Sequence, residues 1–129
     1  MMTRKEILQQ LTSEYEQRRM ANRALEGQRR AEAEAHIPEL AQVLQARQDL
    51  IFSSVHGILE GHRTYEDIPA QMEVLNRRVT SLLEGAGYPA DWLDPIYTCG
   101  KCKDTGYAGE PIRDMCDCMR TAYYARLYA

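Results

Sequence analysis

All four cysteines of the chain fall between residues 99 and 118, as Cys99, Cys102, Cys116 and Cys118 in a C-x2-C-x13-C-x-C arrangement. Two close pairs of thiols are the donor set of a four-coordinate structural zinc site. A pair on a tight turn and a pair on a returning strand can close a tetrahedron around the ion. The Cys99–Cys102 turn lets backbone N–H groups aim at sulfur, and Gly106, just beyond it, is free to take a positive φ. Cys116 and Cys118 are two residues apart, so on an extended segment both thiols would face the same side. Between the pairs, Gly106, Gly109 and Pro111 suit a two-stranded hairpin. Zinc ligation would supply the folding free energy that a module of about 30 residues with few apolar side chains lacks.

Three other chemistries can use the same sulfurs. Two disulfides would require an oxidising compartment. Met1 to Glu6 runs straight into a polar helical pattern, with no apolar leader core behind it, so a reducing, cytoplasmic setting is expected. An iron–sulfur cluster takes the same Cys₄ ligation. A redox dithiol at Cys99 and Cys102 would want a βαβ setting, and none is readable here. Zinc is the expectation, with these three as its alternatives. The chain contains no G-x-x-x-x-G-K-[ST] phosphate loop, G-x-G-x-x-G, H-E-x-x-H or nucleophile elbow. A closed four-thiolate site leaves no coordination position for substrate. No catalytic or cofactor-binding residue is therefore expected, and the chain does not read as an enzyme. His36, His56 and His62 lie far from the cysteines in sequence and read as surface or interface residues.

The formal charge of -3 gives no general attraction to nucleic acid or an anionic membrane. Residues 1–35 hold seven basic against six acidic residues, residues 36–96 four against nine, and residues 97–129 five against four. Four thiolates on Zn²⁺ would add about two negative charges to the last of these. No apolar run approaches the roughly 18 residues of a membrane span.

The elements that must position the cysteines are mostly helical. Residues 3–35 contain no proline and are rich in Glu, Gln, Arg, Ala and Leu, which predicts one long polar helix. Ile7, Leu11 and Tyr15 make a short apolar stripe on it. That stripe is either an exposed feature of a solvated arm or an anchor row for a partner groove. Ile37-Pro38 should break the helix. A second helix is expected from about Pro38 to Gly61, with Leu44, Ile51, Val55 and Ile58 as its seam. A third is expected over about 66–84, with Ile68, Met72, Leu75, Val79 and Leu82 spaced 4, 3, 4, 3. Thr64 or Asp67 can cap its start. The two seams predict an antiparallel, coiled-coil-like hairpin, which leaves self-association through the hairpin open. Gly85-Ala86-Gly87 supplies a helix stop. Tyr88, Trp92, Leu93 and Ile96 are expected to seat the cysteine module against the hairpin end. Met119, Tyr123 and Leu127 recur every four residues, predicting a short last helix still running at Ala129. The fold expected is mostly α, with a long N-terminal helix and a helical hairpin over residues 1–90. A small Cys₄ zinc-knuckle β-hairpin and a short helix follow over 91–129.

Gly87-Tyr88-Pro89, Leu93-Asp94-Pro95-Ile96-Tyr97-Thr98-Cys99, the run from Lys101 to Tyr107, and Cys116-Asp117-Cys118 carry a resemblance. Together they resemble the N-terminal region of DnaC/DnaI-type replicative helicase loaders, in which a charged helical segment precedes a zinc knuckle of this form. The specific part is residues 87–118; the helices resemble the family in character only. The resemblance implies a helicase-binding domain that engages a DnaB-type hexameric replicative helicase. It also implies a following AAA+ domain that binds ATP and single-stranded DNA, expected to begin near the end of this chain. No Walker motif occurs in the sequence, so ATP would belong to that further domain alone. Only Cys99, Cys102, Cys116 and Cys118 carry over, as zinc ligands. The expected function is a non-catalytic interaction module in DNA replication that docks through its N-terminal helix or the hairpin end. The alternative is a nucleic-acid-binding, zinc-ribbon-like protein using Lys101, Lys103 and Arg113 with Tyr97 and Tyr107. A thiol redox factor is a third reading.

Overall fold

A computed structural model describes residues 2–61 and 67–129, apart from the side chains of Ile58 and Asp67. Helix α1 spans Arg4–His36, α2 Leu40–Leu59 and α3 Asp67–Gly85. Strands β1 (Tyr107–Ala108) and β2 (Asp114–Met115) follow, and then α4 (Asp117–Leu127). The fold is mostly helical with a small two-stranded sheet, as the sequence implied. The expected caps at Thr64 and Asp67, and the placement of His62, lie outside the described residues. Among the described residues no helix is long and apolar enough to cross a membrane.

Contacts divide the chain into two compact units, Met1–Gly27 with Pro95–Ala129, and Gln28–Asp94. This division does not follow the linear boundary near residue 90. The first part of α1 packs with the cysteine module, because that module has too few apolar side chains of its own. Ile7, Leu11 and Tyr15 are buried together with Cys102, Cys116 and Met119. Both expectations for the α1 stripe are thereby corrected. It is neither a solvated arm nor a free anchor row, but half of the core of the first unit. Met119 fills that core from α4, with Tyr123 and Leu127 half-buried on the same face. Helix α4 closes at Leu127, where the Tyr128 N–H reaches the Tyr124 carbonyl, rather than running on to Ala129.

The second unit holds the end of α1 with α2 and α3. Proline at residue 38 separates α1 from α2 as expected. Glu39 pairs with Arg78 and Arg47 hydrogen-bonds Asn76, so the position on α3 falls as that on α2 rises and the pair is antiparallel. Ala33, Ile37, Leu40, Leu44, Val79 and Leu83 form the core. On α3 the predicted seam is inward, with Ile68, Met72, Leu75 and Leu82 half-buried around Val79 and Leu83 added to it. On α2 the predicted seam is wrong at Ile51 and Val55, and the side chain of Ile58 lies outside the described residues. Ile51 and Val55 are 52% and 56% exposed, while Ser54 is buried. Leu40 and Leu44 fix the phase of α2, and from there the inward positions fall on Arg47, Leu50 and Ser54. Arg47 and Ser54 interrupt the apolar seam while Ile51 and Val55 take the outer face, which defeats a hydrophobic-pattern reading.

The α3 stop is a Schellman turn. Gly87 takes φ +89. The Tyr88 N–H bonds the Leu83 carbonyl at 2.9 Å and the Gly87 N–H bonds that of Glu84 at 3.1 Å. The turn delivers Tyr88, Trp92 and Leu93 to the core of the second unit. The Trp92 indole donates to the Arg29 carbonyl at 3.1 Å and lies under the Arg29 guanidinium. The seating role expected of Tyr88, Trp92 and Leu93 at the cysteine module is therefore corrected: they close the helical unit itself.

Candidate metal centre

The first pair of sulfurs is built on a turn that its own chain holds shut. Lys103 and Asp104 both have positive φ, at 53° and 62°, and Gly106 follows at 87°. Consecutive left-handed residues curl the backbone back over Cys99. Asp104 is buried, and its carboxylate accepts the N–H groups of Cys99 at 2.8 Å and Thr98 at 2.9 Å. The Asn22 amide donates to the same carboxylate at 3.0 Å, and Arg19 donates to the Asp104 carbonyl at 2.7 Å. Thr105 closes the next step by donating its hydroxyl to the Cys102 carbonyl.

The second pair stands differently from expectation. Cys116 follows β2, takes an extended conformation and caps α4, whereas Cys118 already lies inside that helix. The pair is thus a strand-to-helix corner, not an extended strand, because α4 begins one residue after Cys116. The sheet sets its position. Tyr107 pairs with Met115 and Ala108 with Asp114, and the Cys116 N–H bonds the Gly106 carbonyl at 2.7 Å.

The four sulfurs lie within 4.8 Å of one another. Cys99 Sγ is 3.8 Å from Cys116 Sγ, and Cys102 Sγ is 3.7 Å from Cys118 Sγ. A tetrahedron with metal–sulfur bonds of about 2.3 Å has sulfur–sulfur edges of about 3.8 Å, so these residues fit a metal ion. The cysteines are free rather than bridged. All four predicted site residues are brought together; His36 and His56 belong to the second unit, and His62 lies outside the described residues. His36 contacts Tyr88 in the second unit, and His56 pairs with Glu60 on α2.

The protein environment is uneven around the cluster. The backbone N–H groups of Cys102 and Lys101 point at Cys99 and bring its thiol down to about 7. Burial pushes Cys102 up, and it pushes Cys118 up to about 12. Tyr15 is also pushed up to about 12, first by burial and then by its 2.9 Å hydrogen bond to the Cys118 sulfur. Buried thiols of this kind need a cation to ionise together, and a coordinated thiol is deprotonated outright. Cys118 as thiolate can only accept, so the Tyr15 hydroxyl is then the donor. At the rim, Lys101 is tied to Asp117 at 2.7 Å, which holds the carboxyl below its usual range.

Sequence reasoning missed Asp104, Tyr15, Arg19 and Asn22. Two signals were available. An Asp just past a C-x-x-C turn tolerates left-handed backbone and can accept turn N–H groups. A tyrosine in an otherwise apolar stripe needs a partner for its hydroxyl once buried.

Replacing Asp104 by Ala takes the acceptor from the part-buried N–H groups of Thr98 and Cys99, which costs about 1–3 kcal/mol. Amide hydrogen exchange should show Thr98 and Cys99 losing protection while the β1–β2 amides keep theirs. Unchanged protection at Thr98 and Cys99 would remove the carboxylate from this role.

Fold and site together define a mostly helical protein with a four-cysteine centre that fits a metal ion. No family model, no curated protein and no solved structure matches the chain.

Proposed function

We propose that the chain is a non-catalytic protein-interaction module of a replicative helicase loader, held in shape by a structural zinc ion on Cys99, Cys102, Cys116 and Cys118. One observation supports the metal site: the four sulfurs lie within 4.8 Å of one another beside a core that α1 and α4 complete, with Cys102 and Cys116 buried in it. Zn²⁺ suits four thiolates in a closed, redox-silent site better than a harder ion would. The loader assignment is supported by the resemblance over residues 87–118. A DnaB-type helicase is the partner it names. A reducing, cytoplasmic location accords with free thiols.

The nucleic-acid reading has less to work with. Of its three cations Lys101 is paired with Asp117, leaving Lys103 and Arg113. Mixing the purified chain with a DnaB-type helicase should give a stable complex by light scattering at micromolar concentrations, with no nucleotide required. Absence of a complex, together with steeply salt-dependent binding to single-stranded DNA, would replace this function with the second one.

A further inference from the structure

A groove of about 240 Å³ lies in the first unit, beside the turn that carries Cys99. One wall is α1, through Arg19 and Arg23. The opposite wall is Pro95, Ile96, Tyr97 and Lys103. Arg19 is committed to the Asp104 carbonyl. The side chains of Arg23 and Lys103 make no hydrogen bond or ion pair among the described residues, and both residues are exposed. Tyr97 is 45% exposed, with its hydroxyl likewise unengaged among them. The Asp104 carboxylate, also at this wall, is turned to the backbone and to Asn22. Glu26 subtracts one charge. What remains is a short apolar floor between two uncommitted cations.

We infer that this groove receives a short acidic peptide segment of a protein partner. Arg23 and Lys103 take its carboxylates, and Pro95 and Ile96 take an adjacent apolar side chain. The volume is below the roughly 300–1,000 Å³ of small-molecule sites and suits a side chain rather than a cofactor. Arg presents the fork that pairs a carboxylate in two hydrogen bonds. A polyanion such as single-stranded nucleic acid would extend past the groove along a chain of net charge -3. A segment with a few carboxylates meets Arg23 and Lys103, with Glu26 the one uncommitted carboxylate against it. The site deepens the docking role proposed above and depends on it in one respect, that the partner is a protein.

The test is an amide and arginine side-chain NMR titration of the full isotope-labelled chain with the blocked peptide Glu-Leu-Glu-Leu-Glu, and separately with oligothymidylate. The peptide should shift the signals of Arg23, Tyr97 and Lys103. R23E and K103E should each weaken it by about tenfold, which is about 1.4 kcal/mol. R77E, in the second unit, should leave it unchanged, and the Met119 methyl signal reports that each variant is folded. No groove shift at millimolar peptide, equal affinity in R23E, or tighter binding of oligothymidylate at the same residues would overturn the inference. A silent groove with the helicase complex intact condemns this site alone; groove shifts without a helicase complex uphold the site and condemn the helicase assignment.

Discussion

Stripping the metal, or replacing Cys102 by Ser, unfolds residues 95–127 with the first part of α1 and leaves the second unit folded. Structural zinc contributes an apparent 10–16 kcal/mol or so in small modules, against about 1.5–3 kcal/mol for burying one large apolar side chain. Among the described residues the first unit buries only Ile7, Leu11, Tyr15 and Met119 as large side chains, so a zinc ion would outweigh several of them. Its two strands are two residues each and cannot stand alone. The second unit uses a separate core around Leu40, Leu44, Val79 and Leu83, with no thiol in it. Metal analysis should give one zinc per chain. Chelation should then collapse the amide signals of the first unit while Val79 and Leu83 remain protected from exchange. Acid should act in the same direction as the chelator, because protons compete with the ion for thiolates. A metal-free chain with the first unit's signals intact would remove the metal from the fold.

Gly106→Ala is the second large effect. The new Cβ would overlap Met119 Cε and lie 2.9 Å from Met119 Sδ, with Tyr15 Cδ2 at 3.5 Å behind it. Met119 is buried, so its flexible end can give way only into the packed core. Left-handed backbone costs an alanine about 1–2 kcal/mol, and overpacking a core about 1–3 kcal/mol more. Gly87→Ala is the internal control: its φ is +89 but nothing lies within 4 Å of its Cβ, so it should lose only the first of these. Gly106→Ala combined with Met119→Ala should be less damaging than the two separate losses added. Denaturant unfolding followed by metal release would measure this. Strict additivity would show that Gly106 is needed for its φ alone.

Much of this molecule is written in local pattern. Four cysteines in two close pairs, glycines at 87 and 106, the proline at 38 and the 4-3 spacing of α3 each state a short-range preference, and each is met. The α2 face was illegible for a physical reason. Its inward side is set by Leu40 and Leu44 and then runs through Arg47 and Ser54, while Ile51 and Val55 turn outward. Apolar periodicity reports which residues could be buried. Which of them are depends on the partner surface.

The ligand types and their clustering in sequence were settled before folding, since sulfur is the only donor the sequence concentrates. The scaffold was not. That Ile7, Leu11 and Tyr15 serve the cysteines some ninety or more residues later follows only from packing, as does the enclosure of Asp104 by Asn22 and Arg19. Hydrophobic burial has no direction and no memory of sequence distance, so a stripe on α1 names its need for a cover without naming the cover. The tertiary structure made that choice, and with it held thiols from a turn, a strand end and a helix within 4.8 Å of one another.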